Sequence, residues 1–158
     1  MGDKILHSVL SGLSPGRFEH QGEIVVIGLG RFGSSLAYTL IGMGFEVLGV
    51  DADAERVQEH AGALTHVVQA DSTSERALKQ IGASEAVTVA VCIGTDIEAS
   101  VLTTAAVVDL GVRNVWAKAI TEAHGRILQR VGAHHVVFPE AEMGSRVAHL
   151  LTCHPAEG

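Results

Sequence analysis

The sequence is poor in what a disulfide-bonded, nucleic-acid-binding or membrane-spanning protein needs. Cysteine occurs only at Cys92 and Cys153 in 158 residues, without CxxC spacing, which argues against a disulfide framework or a cysteine metal site and for reduced thiols in a cytoplasmic protein. Aromatic residues make up 4%, too few to stack successive bases. Basic charge is also scarce. Eleven Lys and Arg against 18 Asp and Glu leave a formal charge of −7, the wrong sign for a protein that neutralises nucleic-acid phosphates or an anionic membrane. The longest apolar run, Ala86 to Ile93, is broken by Thr88 and falls far short of the ~20 residues of a membrane-spanning helix. Asp3, Lys4 and His7 interrupt the N-terminal segment where a signal peptide needs a continuous apolar stretch. Nucleic acid and direct membrane insertion are therefore excluded.

Catalytic patterns are missing as well. Nine histidines form no HExxH and no matched Cys/His pairs, so they are expected to be scattered and solvated. Ser34 and Ser35 follow the glycine turn without a GxSxG elbow, which removes the basis for a nucleophilic hydrolase.

What is abundant is apolar surface. Hydrophobic residues reach 47%, charged residues only 18%, and the mean hydropathy is +0.29. In a chain sized for one domain, this points to a parallel sheet covered by helices on both faces. Short β-branched runs alternate with helical periodicity. Strands are predicted at Ile24–Ile27, Glu46–Val50, His66–Gln69, Ala86–Ile93, Asn114–Lys118 and His135–Phe138, each read as buried. Helices are predicted at Arg31–Gly44, Ala54–His60, Ser74–Ile81, Ile97–Leu110, Glu122–Val131 and Met143–Leu151. Right-handed crossovers then give an α/β, doubly wound Rossmann sheet of order 3-2-1-4-5-6, with a crevice outside the carboxyl ends of strands one and four.

The first turn at that crevice reads Gly28-Leu29-Gly30-Arg31-Phe32-Gly33, a GxGxxG directly after a strand and opening a helix. The first glycine permits the tight turn, the second lets a diphosphate approach the backbone, and the third lets helix and strand pack closely. Asp51 follows about 20 residues later, where a carboxylate binds ribose hydroxyls and repels a 2′-phosphate. Asp71, with Ser72 and Thr73, follows strand three, placed to bond an adenine or to cap the next helix. Gly94-Thr95-Asp96 follows strand four, either leaving room for a ligand or making an ordinary turn.

Five segments in register, IVVIGLGRFGSSL from Ile24, EVLGVD from Glu46, ASVLTT from Ala99, NVWAKA from Asn114 and PEAEMG from Pro139, resemble the RCK/KTN (TrkA-N) domain. This is the nucleotide-binding regulatory domain of potassium channels and transporters, and the likeness is nearest to the soluble gating subunits of Ktr-type potassium uptake systems. The resemblance implies a regulator rather than a catalyst. It implies ATP or ADP bound at the switch point, a homodimer assembling into an octameric ring, and a membrane potassium-translocating subunit as partner at the inner face of the cell membrane. By motif, it places Gly28, Gly30 and Gly33 at the phosphates, with Phe32 among the binding residues of the same turn, Asp51 at the ribose, Asp71 beside the adenine, and Gly94 and Lys118 on the phosphate side. Arg31 matches a residue that reaches the γ-phosphate of the neighbouring protomer's ligand. Glu140 matches an acidic residue at the dimer interface that binds a divalent cation (Mg or Ca) with the nucleotide.

Residues 1–22 read as an N-terminal extension, with Ile5, Leu6, Val9, Leu10 and Leu13 near helical spacing, either docking on a partner or disordered. Residues 23–152 read as the Rossmann N-lobe, and 153–158 as a polar tail with the smaller C-terminal lobe of the family absent, either removed or never present. An NAD(H)-binding Rossmann sensor or dehydrogenase fragment and a purely structural interaction module that has lost ligand binding are the competing readings. The last helix, carrying Met143, Val147, Leu150 and Leu151, adds apolar surface that a monomer has to expose, which favours oligomerisation.

Overall fold

The computed structural model describes residues 22–153. The expected N-terminal extension, apart from its last residue, and the tail beyond Cys153 lie outside the described residues. Six strands form the sheet: β1 (Ile24–Ile27), β2 (Val47–Asp51), β3 (His66–Gln69), β4 (Thr88–Val91), β5 (Val115–Lys118) and β6 (His135–Val137). They pair in parallel in the order β3-β2-β1-β4-β5-β6, as the sequence predicts. The helices are α1 (Arg31–Gly42), α2 (Ala54–His60), α3 (Glu75–Gln80), α4 (Ile97–Asp109), α5 (Glu122–Arg130) and α6 (Pro139–Thr152). Among the described residues no helix is long and apolar enough to cross a membrane.

Alternate residues of a strand face opposite sides of the sheet, so the continuous Val/Ile runs build two cores. On one face Val25, Ile27, Val89, Val91, Val115 and Ala117 pack with Leu78 of α3, Val107 of α4 and Leu128 of α5. On the other, Val26, Val47 and Ala90 pack with Ala37 of α1, Leu29 and Leu64.

The structure corrects several expectations. β3 and β6 are not buried throughout: His66, Gln69 and His135 are exposed, because these strands are the two edges of the sheet. β4 begins at Thr88 rather than Ala86, because Ala83–Glu85 coil into a 3-10 turn that ends with the Ala86 N–H donating to the Ala83 carbonyl. α6 begins at Pro139, four residues before Met143. Proline suits the first helical turn, where its missing N–H would have had no partner. Neither Asp71 nor Ser72 caps α3; that role falls to Ser74, which accepts from the Ala77 N–H.

The histidines are not uniformly solvated either. His124 is 1% exposed. Its Nδ1 accepts from the Ile120 N–H at 3.2 Å, so its Nε2 carries the proton and donates to Ser100 Oγ at 2.9 Å. Ser72 and Thr103, both buried, share a hydroxyl–hydroxyl hydrogen bond of 2.8 Å. These polar groups are tolerated inside because each has a partner.

Candidate functional site

At the carboxyl ends of the strands an open crevice of about 1380 Å³ runs from Asp71 past the glycine turn to α6. Of the ten residues expected at the site, Gly28, Gly30, Arg31, Phe32, Asp51, Asp71, Gly94, Lys118 and Glu140 line it. Gly33 does not: it is buried beneath the turn, where an added Cβ would overlap the Gly28 carbonyl oxygen and lie 2.9 Å from the Gly28 carbonyl carbon. Gly28 has φ +95°, and a Cβ there would come within 3.0 Å of the backbone after β4, so this turn requires glycine twice over.

Gly30 is the opening. It caps α1 without a side-chain acceptor, whereas α2, α3, α4 and α5 each begin with a side-chain oxygen taking a backbone N–H. The first-turn amides of α1 therefore face the crevice with no side-chain cap, in the arrangement that suits an anion.

Asp51, at the end of β2, is held rigidly. Its Oδ2 accepts from the Leu29 N–H at 2.8 Å and its Oδ1 from the Asp53 N–H at 2.9 Å, which leaves lone pairs for ligand hydroxyls. Arg56 of α2 stands 3.7 Å from Oδ2. Asp71 is exposed, and its Oδ1 accepts from the hydroxyl and the backbone N–H of Thr73 at 2.6 and 3.0 Å. Those bonds favour the ionised form and lower its pKa.

Across the crevice Lys118 is nearly buried, with its Nζ 2.8 Å from Glu140 Oε1 and 5.7 Å from the centroid of the Phe32 ring. A Cβ on Gly94 would lie 3.3 Å from that ammonium. The space Gly94 leaves is thus space for the lysine. The Lys118 hydrogen bond, with a smaller contribution from the helix backbone, holds the Glu140 carboxyl below its usual range. Arg31 is exposed and makes no ion pair among the described residues.

The site offers little for covalent chemistry. Burial pushes the Cys92 thiol up to about 12, against a smaller pull from Lys118, so it stays protonated at neutral pH. Among the described residues no group of three or more His, Cys, Asp or Glu is placed to hold a metal, and Glu140 is already engaged by Lys118. The described residues of one chain therefore do not by themselves fit a divalent-cation site. Arg56 and Arg146 also line the crevice and were not singled out from the sequence. For Arg56 the available signal was a cation in the first turn of the helix after Asp51.

The comparisons agree with the family resemblance and the fold. The TrkA-N domain model matches residues 24–139. "Ktr system potassium uptake protein C" of Bacillus subtilis (strain 168) is 43% identical over 127 residues, covering 80% of this chain and 58% of that protein. The chain thus spans less than two thirds of that relative. Among solved structures, the TrkA-N domain of inner membrane protein ybaL from Escherichia coli superposes with TM-score 0.73 at 19% identity, covering 83% of this chain and 96% of that one. GsuK, solved bound to ADP, superposes with TM-score 0.72 at 17% identity, covering 85% and 35%. The GsuK channel bound to NAD gives 0.70 at 18%, covering 82% and 23%. With a family model spanning most of the chain and a crevice built from the residues that carry the motif, this chain belongs to the TrkA-N domain family.

Proposed function

We propose that the crevice binds an adenine nucleotide, ATP or ADP, and that the chain is the nucleotide-sensing part of a regulatory subunit of a potassium transport system. In this reading the Gly28–Gly33 turn and the uncapped amides of α1 hold the phosphates, and Asp51 accepts the ribose hydroxyls. Asp71 lies toward the adenine, and Gly94 and Lys118 face the phosphates. The relative named a Ktr potassium uptake protein supports the transport role, with a membrane-embedded potassium-translocating subunit as partner and a place at the cytoplasmic face. The exposed Met143, Leu150 and Leu151 of α6 are the surface a second copy covers in a homodimer, the unit of an octameric ring. A divalent cation at Glu140 would draw its further ligands from the phosphates and the second copy, and no step here depends on it.

The observation that carries the ATP reading is Arg31. Exposed at the crevice without an ion pair among the described residues, its guanidinium is free to take a terminal phosphate bidentately. A contact made by ATP and not by ADP supplies the difference in affinity that a switch needs.

A second reading, NAD(H), is favoured by the length of the crevice, which continues from Asp71 to Val147, and by GsuK having been solved with NAD as well as ADP. Calorimetry with ATP, ADP, NADH and NAD decides between them. We expect Arg31→Ala to lose ATP affinity selectively, by about 1.5–3 kcal/mol for a charged hydrogen bond. Equal weakening of ADP removes the terminal-phosphate role, and tight NADH binding with no response to ATP removes the ATP reading.

A further inference from the structure

Arg56 stands where the packing of the domain does not require it. Its side chain is 51% exposed, and α2 contains no buried residue. Its Nη1 is nevertheless 3.9 Å from the point where a Gly30 side chain would begin, the one contact within 4 Å of that point that the described residues make from outside the turn itself. It is also 3.7 Å from Asp51 Oδ2.

Asp51 does not need the arginine for its own satisfaction, because backbone amides already donate to both carboxylate oxygens. At 3.7 Å, moreover, the contact is an ion pair longer than a hydrogen bond, so the guanidinium donors are not consumed by Asp51. The cation lies over the one opening in the glycine turn, between the carboxylate that suits a ribose and the amides that suit a phosphate.

We propose that Arg56 is a specificity-determining residue that pairs with the first phosphate of a nucleoside 5′-phosphate, and so selects nucleotides over bare nucleosides. The inference rests on the nucleotide reading of the crevice. The first phosphate is joined through the ribose to the hydroxyls that Asp51 accepts, so it is the phosphate that must lie nearest the carboxylate and feels its repulsion most. A guanidinium placed between the two screens that repulsion and offers the phosphate two parallel donors. The two arginines then divide the ligand. Arg56 reads whether a first phosphate is present, and Arg31 reads whether a terminal one is.

The test measures adenosine, AMP and ADP in competition against a fluorescent ADP analogue, on the 158-residue chain and on Arg56→Gln and Arg56→Lys. For Arg56→Gln we expect AMP and ADP to weaken by a common factor of about tenfold or more, with adenosine unchanged within about twofold. Arg56→Lys should recover part of the loss, because it keeps the charge without the planar fork. Three results overturn the proposal: adenosine weakening together with AMP, which marks a structural support of Asp51; ADP weakening alone; or no change for AMP. If the analogue fails to bind the unaltered chain, the nucleotide reading itself falls and takes this inference with it.

Discussion

The wall of the crevice made by β1, β2 and the turns that follow them is pinned by close contacts at Gly28, Gly33 and Asp51, whereas the opposite wall, α6, is moored at one end. Gly33 sits against the Gly28 carbonyl, and Asp51 is bonded to two backbone amides. α6 contains no buried residue. Its first turn is tied by the Lys118–Glu140 ion pair and preceded by Phe138, whose ring lies against Gly125 of α5. The difference assigns unlike tasks to the two walls. Under the proposed nucleotide reading, the fixed wall would hold what all candidate ligands share, a ribose and its first phosphates, with Arg31 at its rim reading the terminal one. Only the loosely held wall can turn a difference between ligands into a displacement, because elements that move are drawn from the least stable parts of a fold.

The largest test of that contrast is Gly33→Ala. The new methyl would overlap a carbonyl oxygen of the preceding strand end, and backbone cannot give way as a flexible side chain can. We expect a loss of about 3 kcal/mol or more, the upper end of overpacking costs, read from denaturant or thermal midpoints. A variant that melts with the parent would show that the fixed wall is not rigid.

Next in size is the support beneath β5, from which Lys118 projects. His124 bonds the Ile120 N–H just beyond the end of that strand and Ser100 of α4, and burial holds its pKa below the usual value of 6.5. The unfolded chain therefore takes up a proton at pH values where the folded chain does not. Stability is full above about pH 6.5 and falls as the pH drops through the folded pKa. Ser100→Ala, which leaves the buried Nε2 proton unpartnered, should cost about 1–3 kcal/mol. Denaturant midpoints of the parent and His124→Gln between pH 8 and pH 5 isolate the effect from the other histidines. Parallel curves would mean that His124 is not buried neutral.

Local features were legible in the sequence and distant pairings were not. The β1 turn could be read because glycines at fixed spacing after a Val/Ile run have few other uses, and Asp51 followed from its place at the end of the next strand. The exposure of His66 and His135 depended on which strands form the edges, and the sheet order that the sequence itself predicts already implies it. The bond between Ser72 and Thr103 spans 31 positions, and that between Ser100 and His124 spans 24. No periodicity carries such pairs, so His124 looked like one more solvated histidine. Arg56 was missed for the same reason, since its meaning depends on its guanidinium reaching back to Gly30, 26 positions earlier. The start of α6 was misplaced because Pro139-Glu140 reads equally well as a loop and as a first helical turn.

The smallest effect brings the comparison back to the same substitution on the other wall. Gly144 lies within α6, and a Cβ there would meet nothing within 4 Å, so Gly144→Ala carries no steric cost and gains helix propensity worth about 0.4–1 kcal/mol. Because α6 buries no residue, that gain should not raise the global midpoint. It should appear as amide exchange within α6 slowed by roughly two- to fivefold, the same free energy expressed as local opening. Gly33→Ala and Gly144→Ala are thus expected to differ in sign, in size and in where they act. A dependence on concentration would sharpen the result further. If α6 exchanges more slowly in dilute protein but the alanine weakens self-association at higher concentration, then a second copy must approach the helix closely at Gly144, and the loose wall of one chain is completed by its neighbour.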